Sequence, residues 1–230
     1  MTETVESAHA WRIDEREYER HELRRGRRFA YESIDPSRTA LVVVDLVRFF
    51  ADESSYVRGI IPNVNRIAAK MRTTGGPVIW VVPGRQRSPS AWEVGFYGEQ
   101  AAAKYATSGG GGTPVDSLAP GLDISPDDHV VEKFAASALF PGRSAVHSIL
   151  QELGITRVLI AGTVTSVCCE STARDASTLG YEVVVLADAT ADVSDAAHNA
   201  SLRIVYRSFG DVRATNDVIA LIDHASNDGT

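Results

Sequence analysis

The run Thr39-Ala40-Leu41-Val42-Val43-Val44 restricts the possible folds more than any other feature of this chain, because it stays apolar on successive residues rather than on alternate ones. Neighbouring side chains of a strand point to opposite faces, so such a run is covered on both sides and fits a central strand of a parallel sheet. Comparable runs fall at 78–82, 129–132, 157–161 and 182–187, with a short sixth near 211–214. Helical patterning lies between them, at about 62–74, 144–153, 166–179 and 194–207, with a last helix near 216–225. Strands that alternate with helices imply right-handed crossovers. We therefore expect a doubly wound α/β fold: a mainly parallel, six-stranded sheet with helices on both faces. Ligands of such sheets bind beyond the carboxyl ends of the strands.

Composition narrows the function classes. At 44% hydrophobic and 23% charged residues the chain is neither disordered, a coiled coil nor a collagen. No apolar run approaches the ~20 residues of a membrane span, and no membrane partner is expected. The N-terminal residues lack the basic-then-apolar layout of a secretory signal. The two cysteines, Cys168 and Cys169, are adjacent and offer no disulfide framework. These features fit a reduced, cytoplasmic protein. A net charge of −7 argues against nucleic acid as a partner.

Residues 1–38 read as a charge-rich arm ahead of a domain over 39–230. Arg and Glu alternate from Glu15 to Glu22 in a pattern that fits a solvated helix. The cluster Arg24-Arg25-Gly26-Arg27-Arg28 has acidic neighbours that cancel most of its field. With Trp11, Tyr18, Phe29 and Tyr31 as anchors, the arm is expected to serve a homo-oligomer (a dimer or tetramer) or to cover a pocket rim, the plainer alternative being an arm that packs on its own domain or on a partner subunit. Residues 83–127, rich in proline and glycine, read as irregular, and the run Gly109–Gly112 as a flexible loop beside the pocket.

Chemistry collects where the strands end. The first run ends in Asp45, the third in Lys133, and the fourth leads through Gly162-Thr163-Val164-Thr165-Ser166-Val167 to Cys168. All three side chains should lie at one edge of the sheet. A carboxylate and an ammonium group beside apolar strands need pairing, so Asp45 and Lys133 are natural partners. Ser166 is a candidate N-cap, which would put Cys168 in a first helical turn and lower its pKa. Cys169, rotated by about 100° on the helix, should pack against the sheet instead.

Three segments resemble the isochorismatase-like cysteine hydrolases: Thr39–Asp45 with Phe50 five residues on, Val131-Glu-Lys133-Phe-Ala-Ala-Ser137-Ala138, and Gly162-Thr-Val-Thr-Ser-Val-Cys168-Cys-Glu-Ser-Thr-Ala-Arg174-Asp175-Ala. Their order and spacing agree over roughly residues 38–225. The one departure is Ser166, where asparagine is usual. The resemblance implies an Asp45–Lys133–Cys168 triad, with Cys168 as nucleophile, Asp45 taking the thiol proton, and Lys133 orienting Asp45 and stabilising the thiolate. It also implies a cis peptide between Thr163 and Val164, and an oxyanion hole formed by the Val164 and Cys168 N–H groups. No cofactor is implied.

Within that family, nicotinamidases carry a metal on an Asp-x-His-x-x-His layout. No histidine stands between His21 and His129 here, so no metal site is expected. True isochorismatases cleave a vinyl ether and typically lack the cysteine, which Cys168 argues against. The remaining reading is hydrolysis of a C–N bond in a small amide, carbamoyl, urea-like or lactam substrate. The alternatives are an ether hydrolase and an inactive binding or assembly protein of the same fold. Phe50, Trp92, Phe96, Tyr97, Phe134 and Phe140 are expected to wall the pocket. Arg85 and Arg87 are candidate clamps for a substrate carboxylate. His198 is expected to be structural or to touch a neighbouring subunit.

Overall fold

The computed structural model describes residues 6–85 and 87–228, so residues 1–5 of the expected arm and 229–230 of the expected domain lie outside it. All six residues of β1 (Thr39–Val44) are buried, as a strand covered on both faces must be. It pairs in parallel with β2 (Val78–Pro83) on one side and β4 (Arg157–Thr163) on the other. Beyond these lie β3 (His129–Lys133), β5 (Glu182–Ala191) and β6 (Asp211–Arg213). The sheet order is β3-β2-β1-β4-β5-β6 and every pairing is parallel. The winding direction reverses between β1 and β4, which opens a crevice at their carboxyl ends.

Side-chain alternation divides the core into two layers. On one face Leu41, Val43, Trp80, Leu159 and Leu186 pack with Val64, Ile67 and Met71 of the helix Ile61–Thr73 and with Val218 and Ile222 of the helix Thr215–Asp228. On the other, Val42, Val44, Ile79, Ile160 and Val185 meet Leu150 of Val146–Glu152, Ala173 of Glu170–Thr178, and Leu202 and Val205 of Asp195–Ser208. In chain order the helices are α1 (Glu15–Arg25), α2 (Arg48–Glu53), α3 (Ser55–Gly59), α4 (Ile61–Thr73), α5 (Ala91–Tyr97), α6 (Glu99–Ala106), α7 (Val146–Glu152), α8 (Glu170–Thr178), α9 (Asp195–Ser208) and α10 (Thr215–Asp228).

Two expectations need correction. The segment 83–127 is not wholly irregular, since it contains α5 and α6. Ser90 and Glu93 form a reciprocal capping box at the start of α5, a signal present in the sequence but outweighed by the surrounding proline and glycine. The helix of the arm, for its part, is not a solvated one: it packs on its own chain. Glu17, only 1% exposed, accepts bonds from Arg203 at 3.0 Å and Arg207 at 3.2 Å of α9. Trp11, Tyr18 and Phe29 pack on one core layer and Tyr31 on the other. A helix whose charges look solvated in sequence is thus docked through a buried carboxylate and its arginine partners. No helix among the described residues is long and apolar enough to cross a membrane.

Candidate active site

The pairing of Val44 with Gly162 sets the end of β1 against the turn that follows β4, and the pairing of Pro83 with Lys133 brings the end of β3 level with the end of β2. Asp45, the first residue beyond β1, has a positive φ of 50°, unusual for a residue with a side chain and of a kind that clusters at functional sites. Its carboxylate is 2% exposed and meets Lys133 Nζ at 2.8 Å through Oδ2. The Lys133 ammonium is also buried; it donates to the Ala135 carbonyl at 2.8 Å and approaches Cys168 Sγ at 3.5 Å. Its three donors are therefore directed at a carboxylate, a carbonyl and a thiol. Asp45 Oδ1 is buried without a well-aligned hydrogen-bond donor.

The electrostatics follow from this arrangement. Burial raises the Asp45 pKa, and the charge and hydrogen bond of Lys133 withdraw only part of that rise. Burial also disfavours the Lys133 charge, but Asp45 outweighs it and holds the ammonium above its ordinary value. The carboxylate is therefore more basic than usual, beside an ammonium whose charged form is favoured. Desolvation, and then the Asp45 charge, push the half-buried Cys168 thiol up to about 12 against the pull of Lys133. This reverses the expected lowering. Thr165–Cys169 forms a single π-helical turn and α8 begins only at Glu170, so Cys168 precedes the α-helix and faces a carboxylate. At rest the site holds a neutral thiol beside a base.

Ser166 is not a cap. The turn has no side-chain cap; instead the Ser166 N–H donates to Asp192 Oδ2 at 2.7 Å. Thr165 Oγ1 is hydrogen-bonded to His198 Nδ1 at 2.9 Å, and Ser201 Oγ donates to the Thr165 carbonyl at 3.1 Å. The peptide between Thr163 and Val164 is cis. Cys169, 1% exposed, lies in the core layer beneath, with Sγ 3.9 Å from the Ala161 carbonyl.

A family model described as "Isochorismatase domain" matches residues 39–217. The chain belongs to the isochorismatase family. It is 32% identical over 210 residues to "Ureidoacrylate amidohydrolase RutB" of Pseudomonas savastanoi pv. phaseolicola, covering 79% of this chain and 82% of that protein. It is 34% identical over 175 residues to a "Probable inactive nicotinamidase" of Arabidopsis thaliana, covering 71% and 86%. Among solved structures, a cysteine hydrolase from Pseudomonas syringae pv. phaseolicola superposes with a TM-score of 0.69 at 25% identity, covering 86% of this chain and 97% of that one. An N-carbamoylsarcosine amidase from Thermoplasma acidophilum gives 0.63 at 25% identity, covering 78% and 97%.

In this isochorismatase-family hydrolase both arginines expected as clamps already hold partners. The Arg85 guanidinium is engaged by the Glu132 carboxylate (Nε–Oε1 2.9 Å, Nη2–Oε2 3.1 Å) and by the Gly112 carbonyl, so it ties the glycine loop to β3 rather than standing free as a clamp. Arg87 is similarly bound to Glu93 at 2.8 Å. Trp92 is exposed and stacks on Phe96 at 5.3 Å; ring contacts continue through Tyr97 and Tyr105 to Phe49 and Phe50, a connected aromatic run from α5 to α2. Phe134 and Phe140 are about half exposed, at 47% and 51%. No group of three or more His, Cys, Asp or Glu among the described residues is placed to hold a metal ion. His198 is fully buried within its own chain.

Two residues beside the site escaped the reading from sequence. Asp192 follows β5 directly, but the apolar run legible in sequence stops at Ala187, four residues before the strand ends at Ala191. Gly162 has a φ of 108°, and a Cβ there would lie 2.0 Å from the Val44 carbonyl oxygen. Gly162→Ala must therefore part β1 from β4. Urea unfolding is expected to show a loss of at least ~3 kcal/mol; a loss below ~1 kcal/mol would show that the strands part freely.

His198 makes stability pH-dependent. Burial, the largest cause, lowers its pKa from 6.5 to about 4. Between those values the unfolded chain takes up a proton that the folded chain refuses, so stability is lost as pH falls from 6.5 to 4. The full loss is about 3 kcal/mol. Unfolding free energies at pH 7 and 4.5 should differ less in His198→Asn than in the parent, and an equal difference would remove His198 from the account.

Proposed function

We propose that the protein hydrolyses a C–N bond in a small amide, carbamoyl, urea-like or lactam compound through a thioester on Cys168. The observation that carries this reading is the buried Asp45–Lys133 pair in contact with a thiol at the carboxyl edge of the sheet. Two proteins that the chain resembles are named for related work, one as an amidohydrolase and one as an amidase.

Lys133 occupies Oδ2 of Asp45 and leaves Oδ1 as the acceptor for the thiol proton. Transfer of that proton forms a thiolate beside the ammonium, which stabilises it. The thiolate attacks the substrate carbonyl carbon, and the carbonyl π electrons move to oxygen. The Val164 and Cys168 N–H groups are assigned to that oxyanion. Asp45 returns its proton to the departing nitrogen, the C–N bond breaks, and ammonia or an amine leaves. Asp45 then takes a proton from water, the hydroxide equivalent attacks the thioester, and the thiol is restored as the acid departs. Because the resting thiol is neutral, deprotonation is coupled to Asp45 rather than completed beforehand. Phe134, Phe140, Phe50 and Trp92 are assigned to the apolar wall around the small substrate.

The test is a panel of small amides, ureas and lactams assayed for ammonia or amine release, with intact-protein mass spectrometry of the quenched reaction. Release with an acyl adduct on Cys168 is expected. Release that persists in Cys168→Ala, with no adduct in the parent, would overturn the reading.

A further inference from the structure

The N-terminal arm reaches the back of the turn that carries Cys168. The Ser7 N–H donates to the Ser55 carbonyl at 3.2 Å, and the arm crosses α3 at Gly59, where a Cβ would lie 2.0 Å from the Ser7 carbonyl oxygen. Asn199 of α9 grips the next stretch from both sides: its Oδ1 accepts from the Arg12 N–H at 2.7 Å and its Nδ2 donates to the Ala10 carbonyl at 3.1 Å. Between these two clamps His9 points inward, with its side chain 2% exposed.

The His9 ring lies between Tyr56 and His198, with centroids 4.0 and 4.3 Å away and planes within 9° and 11° of parallel. Tyr56 belongs to α3, in the connection that begins at Asp45, while His198 belongs to α9, after β5. The imidazole thus wedges together the elements behind the base and behind the nucleophile. Its nitrogens are also assigned. The Asp192 N–H donates to Nε2 at 3.0 Å, so Nε2 is unprotonated; Nδ1 carries the hydrogen and donates to Asp195 Oδ1 at 2.7 Å.

Two of the four residues that His9 touches, Asp192 and His198, also support the nucleophile turn. Asp192 accepts the Ser166 N–H, and His198 is bonded to the Thr165 hydroxyl. These contacts fall two and three residues before Cys168.

We propose that His9 is a positioning residue for catalysis: the arm inserts it as a wedge that fixes Asp192 and His198, and through them the Thr165–Ser166 segment that sets Cys168 against Asp45 and Lys133. This rests on Cys168 being the nucleophile, and it gives the arm a part in the reaction rather than in assembly alone. A wedge of this kind acts on placement of the thiol and not on substrate contacts, so its loss should appear in kcat and in the titration of the thiol.

The test uses the full chain in a Cys169→Ala background, so that one thiol is read. In His9→Ala, kcat is expected to fall at least tenfold with KM within about twofold of the parent. The midpoint of Cys168 alkylation against pH should move towards that of an ordinary thiol, because the group is no longer held against the Asp45 charge. Gly59→Ala, which displaces the arm at Ser7 while leaving every residue of the wedge unsubstituted, carries the same expectation and decides the matter should His9→Ala fail to fold. A folded variant with the parent's kcat and alkylation midpoint would overturn the proposal. The alkylation measurement needs no substrate. Failure of the wedge is therefore distinguishable from failure of the hydrolytic reading, which persistent release by Cys168→Ala would reveal.

Discussion

Alanine at position 168 is expected to reduce hydrolysis by at least ~10⁴-fold while leaving the fold intact. The proposed covalent route needs the sulfur, which lies 3.5 Å from Lys133 Nζ. Cys168 is only half-buried at the mouth of the crevice, so its loss opens no large core cavity. The neighbouring thiol is the control. Cys169 is 1% exposed in the layer between sheet and helices, so Cys169→Ala should keep most activity and lose about 1 kcal/mol of stability through the vacated volume. Steady-state rates and urea unfolding of the two variants check both statements. If Cys169→Ala were the inactive one, the direction assigned to each thiol would be wrong.

Asp45→Asn is expected to remove both activity and stability. The amide cannot take the thiol proton, and it leaves the Lys133 ammonium buried opposite a neutral group. Removing one partner of such a pair costs about 3–5 kcal/mol. Exchanging both partners, in Asp45→Asn with Lys133→Met, should recover most of that stability and none of the activity, because the unpaired charge is gone while the base remains absent. Unfolding free energies for the two single variants and the double variant form a cycle whose coupling energy measures the pair. Additive losses would show that the two groups do not depend on one another. The pH profile of the parent adds a sign: with the Asp45 pKa raised, the acid limb of kcat/KM should lie above the ordinary carboxylate value of 3.8.

The grouping of Asp45, Lys133 and Cys168 was legible because strand ends are legible. An unbroken apolar run marks a buried parallel strand, and polar residues at the ends of such runs collect at one edge of the sheet whatever the intervening loops do. Asp45, Lys133 and Cys168 follow from that rule; applied to the run 182–187 it points to Asp188 instead of Asp192, because β5 continues to Ala191. The charged clamps were not legible. Arg85 pairs with Glu132, 47 positions away, and nothing local in either segment marks the pairing. The thiol's pKa was misread for a similar reason. The capping pattern suggested an α-helical first turn at Ser166, whereas Asp192, brought in from the end of β5, takes that N–H and the turn closes as a π-helix.

By itself, the sequence determined the strand order in time, the two-faced burial of each strand, and the edge on which the reactive groups gather, because periodicity and strand-end chemistry are local properties. Only the tertiary structure decided which groups meet: that Lys133 spans from β3 to the residue after β1, that Cys168 is a neutral thiol facing a basic carboxylate, and that His9 reaches Asp192 across 183 positions to stand behind the nucleophile turn. Hydrogen bonds and ion pairs act over about 3 Å in space whatever the separation along the chain. The register of a six-stranded sheet is what converts one kind of distance into the other.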